Sequence, residues 1–127
     1  MPRTFFIDID GTIVKNLTNE ELDLILTQNT SGIFREDLLP GVDHFFKSLN
    51  EDDTVIFTTA RTENHRRMTE DMLAFHNIKY SQLIMGLSCG ERYLINDTPN
   101  CLYQKSIAIN VLRDTGFGDT FIFDPDF

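Results

Sequence analysis

The stretch TFFIDIDGTIV, near the start of the chain, is an apolar run interrupted by Asp8 and Asp10 and followed at once by Gly11. A carboxylate is costly to remove from water unless a cation, a proton or hydrogen bonds compensate. A pair at this spacing implies that something positive belongs between them. Other polar groups also stand directly behind apolar runs: TVIFTTAR ends in Thr59, Ala60 and Arg61, and YLIND ends in Asn96 and Asp97. Separate segments thus offer carboxylate, hydroxyl and carboxylate. Taken singly, each has a bland explanation, since Asp-Gly is a common turn, Thr before a helix a common cap, and Asn-Asp-x-Pro a common loop opening. Their joint occurrence in this order is harder to dismiss.

The elements that must position these groups follow from the apolar pattern. Strands are expected over 4–9 and 54–59, shorter ones over 82–85, 93–95 and 107–111, and a last one over 121–123. A short helix is predicted from Asn19 through Leu26, with Leu22, Ile25 and Leu26 on one face, followed by an NTSG loop over 29–32. Pro40-Gly41 introduces a helix whose apolar positions Val42, Phe45, Phe46 and Leu49 recur at helical spacing. Thr62 is the expected N-cap of a helix with Met68, Met72, Leu73 and Phe75 on its apolar side. Strands alternating with helices, several of them oily along their whole length, describe an α/β domain: three layers, doubly wound around a mainly parallel sheet. Ligands of such sheets sit beyond the carboxyl ends of the strands. Asp8, Thr59 and Asp97 stand at those ends.

Bulk properties bound the function. The 127 residues are expected to form one domain, and the net charge of −9 argues against general binding to nucleic acid or to anionic membrane. It leaves room for one small phosphorylated substrate held by a metal and a few local cations. Cys89 and Cys101 lack metal-ligand spacing, and there is neither a signal-peptide pattern nor a membrane-length apolar stretch, so the expected setting is the reducing cytoplasm. His44, His65 and His76 fall on predicted helices without ligand spacing and receive no catalytic role.

DIDGT (Asp8 to Thr12) resembles the DxDGT signature of the haloacid dehalogenase superfamily of phosphatases, VIFTTAR its second motif, and YLIND its acidic fourth motif. LLPGV resembles the segment that leads into the core in many members. The resemblance implies a Rossmann-like core without a large cap domain, because the stretch between Asp10 and Pro40 has room only for a flap and a short helix. It implies Asp8 as the nucleophile that forms an aspartyl-phosphate, and Asp10 as the acid that protonates the leaving alcohol and then activates water. It implies Mg²⁺ held by Asp8, by the backbone carbonyl of Asp10 and by Asp97, within the count of protein ligands that Mg²⁺ prefers. Thr59 and the Ala60 amide would bind the phosphoryl oxygens, and Gly11 would allow the tight turn beside them. The acid at position 10 favours phosphate esters over dehalogenation, with a sugar or nucleotide phosphate the expected substrate. Capless members act on large substrates or as oligomers, so a homo-oligomer covering the site is one expectation.

The chain departs from the pattern where the family carries its third-motif Lys: GLSCGERY has none. Arg92 is the nearest cation and Lys79 the other local one. Cys101 stands where a further acid is common, leaving Asn96 or Asn100 to bind a metal water. Arg61 is open between contact with substrate phosphate and a surface ion pair. A signalling receiver domain is the competing class, although its acids and Lys come in a different order. A catalytically idle binding module is the third reading, suggested by the absent Lys.

Overall fold

The computed structural model describes residues 2–28 and 35–118. The predicted 29–32 loop and the strand at 121–123 lie outside them. Strand β1 (Thr4–Asp8) leads through a turn to helix α1 (Asn19–Gln28); helix α2 (Val42–Ser48), strand β2 (Thr54–Thr58), helix α3 (Arg66–Phe75) and strand β3 (Gln82–Ile84) follow. The three strands form one parallel sheet in the order β1-β2-β3. Asp8 pairs with Thr58, and Thr58 with Ile84, so the three carboxyl ends lie level with one another. Parallel pairing in this register makes one chemical edge out of three separate segments.

Local signals explain the helices. Thr18 caps α1 reciprocally with Glu21, its hydroxyl accepting the Glu21 N–H at 3.1 Å while the Glu21 carboxylate accepts from Thr18. Leu22 is fully buried, whereas Leu26 of the same predicted face is 45% exposed. A 3₁₀ turn, Glu63–His65, with Thr62 as N-cap, opens the segment that continues as α3. Helix α3 stops at Asn77, whose φ of 58° is left-handed, and the Ile78 N–H closes back on the Leu73 carbonyl at 3.0 Å.

The core gathers Ile7, Val55, Phe57 and Leu83 from one face of the sheet with Val42 and Phe45 of α2, Met72 and Leu73 of α3, and Phe117. Phe45 stands edge-on to both Phe5 and Phe117. Phe6, on the other face of β1, is 53% exposed. The described residues therefore show a parallel α/β sheet packed on one face, and not the three layers expected.

The strands expected over 93–95 and 107–111 are not formed; both stretches lack regular structure. Tyr93 and Ile95 are 85% and 89% exposed. Strand propensity reflects packing and pairing with neighbours more than backbone preference, and among the described residues these stretches have no strand beside them. Among the same residues β1 pairs only with β2, leaving its other edge open. No helix among the described residues is long and apolar enough to cross a membrane.

The turn after Leu112 closes the sheet end. The Asp114 N–H donates to the Gly11 carbonyl at 2.9 Å, the Asp114 carboxylate accepts the Asn16 N–H at 2.7 Å, and the Phe117 N–H donates to the Pro40 carbonyl at 2.9 Å. Gly116, at φ +74°, lies so close that a Cβ there would stand 2.3 Å from the Pro40 oxygen, whereas a Cβ on Gly86, at φ +77°, meets nothing within 4 Å. Gly86→Ala should therefore cost about 1 kcal/mol of left-handed strain, and Gly116→Ala about 2–4 kcal/mol once overpacking is added. Chemical denaturation of the two variants checks the difference.

Candidate active site

Asp8 ends β1 and is held from two sides. The Thr12 hydroxyl donates to Oδ2 at 3.0 Å, and a terminal guanidinium nitrogen of Arg92 lies 3.9 Å from Oδ1. The turn that allows this is tight: the Ile9 carbonyl accepts the amides of Thr12, Ile13 and Val14, and Gly11 takes φ +82°. Burial pushes the Asp8 carboxyl above its ordinary range, with Asp10 adding to the effect, while Thr12, Arg92 and the Ile9 amide oppose it. Of the two cations considered for the missing Lys, Arg92 is the one the structure places against Asp8.

Arg61 takes neither of the places expected for it. It is 1% exposed, and all five of its N–H donors are committed within the protein. Its Nε donates to both Asp10 oxygens (3.0 and 3.3 Å), and Nη2 donates to Asp10 Oδ1 at 2.9 Å and to Glu36 Oε1 at 2.6 Å. Nη1 donates to Glu36 Oε2 and to the Thr69 hydroxyl, each at 3.0 Å. Burial alone would loosen its proton, but hydrogen bonds and charge from Asp10 and Glu36 outweigh that and hold Arg61 above its ordinary value. No donor is left for a phosphate, so direct substrate contact is corrected to a buried ion pair. Sequence reasoning missed Glu36 altogether; a lone acid in a loop carries no spacing signal.

Behind β2, Thr59 is fully buried; its hydroxyl accepts the Arg61 N–H at 3.1 Å and keeps its own proton for donation. The Thr59 N–H is spent on the Ile84 carbonyl, whereas the Ala60 N–H donates to no group among the described residues. Helix α1 is tied to this loop, with Asn19 donating to the Ala60 carbonyl at 3.1 Å. Asp23 meets buried His65 at 2.6 Å. His65 Nδ1 accepts the Thr62 N–H at 3.3 Å, which assigns the proton to Nε2, facing Asp23. His76 Nε2 donates to the Glu36 carbonyl at 2.6 Å. Both imidazoles are structural.

Asp97 is not brought to this cluster. Its exposed carboxylate pairs with Lys105 at 2.9 Å, and that hydrogen bond holds it below its ordinary range. Among the described residues no group of three or more His, Cys, Asp or Glu is arranged to hold a metal ion, so Asp8, Asp10 and Asp97 do not form one. Two of the expected Mg²⁺ ligands nevertheless suit a cation. Among the described residues, Asp8 Oδ2 accepts the Thr12 hydroxyl as its one side-chain donor and keeps a lone pair, and the Asp10 backbone carbonyl accepts no hydrogen bond. A cavity of about 360 Å³ is lined by Leu94, Ile95, Asn96, Thr98, Gln104 and Ser106 and includes none of the strand-end residues. No family model matches the chain, and neither a curated protein nor a solved structure does so.

The raised Asp8 carboxyl makes a prediction about stability. Between its ordinary 3.8 and its folded value the native protein holds more protons than the unfolded chain, so stability falls as pH rises through that window and stays lower above it. Asp8→Asn should raise the melting temperature at pH 7 in chelator. The gain should vanish below about pH 3.8, as thermal melts across pH would record.

Proposed function

We propose that the chain is a Mg²⁺-dependent phosphatase that hydrolyses a small phosphate monoester, such as a sugar or nucleotide phosphate, through an aspartyl-phosphate on Asp8. The observation that carries this reading is the split environment of the Asp8 carboxylate. Thr12 fixes one oxygen, while the other faces a guanidinium and accepts no side-chain hydrogen bond among the described residues. A nucleophilic oxygen must be free of donors and close to positive charge that will meet the incoming phosphate. Arg92 supplies that charge. The Thr59 hydroxyl and the Ala60 amide, both with a donor to spare, are suited to the phosphoryl oxygens. Asp10, just beyond the end of β1, is the proton donor to the leaving alcohol.

The Asp8 carboxylate and the Asp10 carbonyl would hold the metal, whose chemistry when bound is to neutralise charge between nucleophile and phosphate. Asp97 is the third ligand of this reading. It joins them only by leaving Lys105, which requires residues 93–97 to move toward the open edge of β1. The open edge and the exposed Tyr93 and Ile95 favour such a docking, which extends the sheet toward the Rossmann-like core of the haloacid dehalogenase superfamily. The buried Arg61 pair and the Arg92–Asp8 approach weigh against an idle binding module, since both keep charge at a strand end where a core would exclude it.

Turnover of p-nitrophenyl phosphate with Mg²⁺ and with chelator tests the reading. Metal-dependent hydrolysis abolished by Asp8→Asn is expected. No turnover across a panel of sugar and nucleotide phosphates would overturn it, and a long-lived phospho-Asp would favour a receiver domain. Hydrogen exchange at residues 93–97 should slow when Mg²⁺ and a phosphate mimic are added together, and Asp97→Ala should remove that protection.

A further inference from the structure

We infer that Glu36 and Arg61 are positioning residues that aim Asp10 at the leaving group, so that the limb of the flap returning toward Pro40 controls the proton-transfer step. This rests on the reading of Asp10 as the acid. The guanidinium is planar and is gripped on both edges, by both oxygens of Asp10 on one side and by Glu36 and Thr69 on the other. A planar fork clamped in this way cannot rotate without losing charge-assisted bonds. Asp10 therefore takes its orientation from Arg61, and Arg61 takes its own from Glu36.

Glu36 is in turn fixed by its backbone. Its carbonyl accepts from His76, at the end of α3. A few residues on, the Leu39 N–H donates to the Ile13 carbonyl at 2.8 Å, and Leu38 bridges to Val14. Asp10 keeps 14% of its side chain exposed and Glu36 only 5%, so the outer carboxylate can meet substrate while the inner one cannot. Glu36 acts through Arg61 and touches no reacting atom.

In the step so governed, Asp8 Oδ1 forms a bond to phosphorus as the bond from phosphorus to the ester oxygen breaks. Asp10 enters this step as the acid, with Glu36 balancing the Arg61 charge, and its proton passes to that oxygen, releasing the alcohol. Water then gives a proton back to Asp10 while its oxygen bonds to phosphorus and the Asp8 acyl-phosphate bond to phosphorus breaks, releasing inorganic phosphate. Proton donation matters for a poor leaving group such as an alkyl alcohol and little for p-nitrophenolate, which departs without help.

The test compares kcat/KM, which reports steps through departure of the leaving group, for an alkyl phosphate ester and for p-nitrophenyl phosphate. Misaiming a general acid costs part of its roughly 10²–10⁴-fold contribution, so Glu36→Gln should lower kcat/KM about tenfold or more for the alkyl ester and by less than about threefold for p-nitrophenyl phosphate. Arg61→Lys, whose single ammonium cannot serve both carboxylates, should show the same selective loss. Should those variants not fold by circular dichroism, Thr69→Val removes only one of the bonds to Arg61 and should give a smaller loss with the same preference. Equal loss for both esters in the folded variants would overturn the positioning role while leaving the phosphatase reading intact. A native chain inactive on every ester, and indifferent to Asp8→Asn, would overturn both.

Discussion

A guanidinium out of water is the constraint on which the site depends. Arg61 can be buried only because two carboxylates and a hydroxyl absorb all five of its donors. Those partners come from different places: Asp10 from the turn after β1, Glu36 from the segment leading into α2, and Thr69 from α3. Breaking such a buried pair typically costs about 3–5 kcal/mol, because the orphaned charge stays inside. Four segments are thus held together by one side chain, and Asp10, two residues from Asp8, is among them. Asp8, Asp10 and Glu36 face Arg61 and Arg92, so each guanidinium at this edge has an acidic partner.

A second fastening lies on the opposite side of the Gly11 turn. The Asp114–Gly118 turn reaches Gly11 through a backbone hydrogen bond, Asn16 through the Asp114 carboxylate, and Pro40 through the Phe117 N–H. Gly116 has no Cβ because Pro40 occupies its space. Phe117 is then seated in the core against Phe45. The turn that carries Asp10 is therefore held by Arg61 and by the 114–118 turn, leaving it little freedom to reorganise.

Much of this was legible in the sequence, and the boundary follows the range of the interactions. The apolar runs before Asp8 and Thr59 gave β1 and β2, Thr62 marked its own cap, and the spacing of Val42, Phe45 and Phe46 marked α2, because each signal is local. Arg61 was visible as a residue but not as a buried one, since its burial depends on Glu36, which is 25 positions away and carries no motif. Phe117, which lies in no predicted element, anchors a turn beside Pro40, a placement that depends on contacts far along the chain. The runs at 93–95 and 107–111 have strand composition without strand structure, because pairing partners are a property of the whole sheet.

The unpaired 93–95 run also decides how the site would be completed. One irregular segment delivers Arg92 to Asp8 and, five residues later, leaves Asp97 with Lys105. Five extended residues span about 17 Å at most, so the segment need not move as a whole for Asp97 to approach β1. The exposed Asp97–Lys105 pair is of a kind that solvent screens, a weak hold on Asp97. Under the phosphatase reading, Arg92 screens the nucleophile before the cation arrives, and Asp97 changes partner as the 93–97 run meets the open edge of β1. The two halves of the site then have separate roles. The rigid half, built on Arg61, aims the acid, and the adjustable half, carried by residues 87–112, brings in the charge that the acid and nucleophile require.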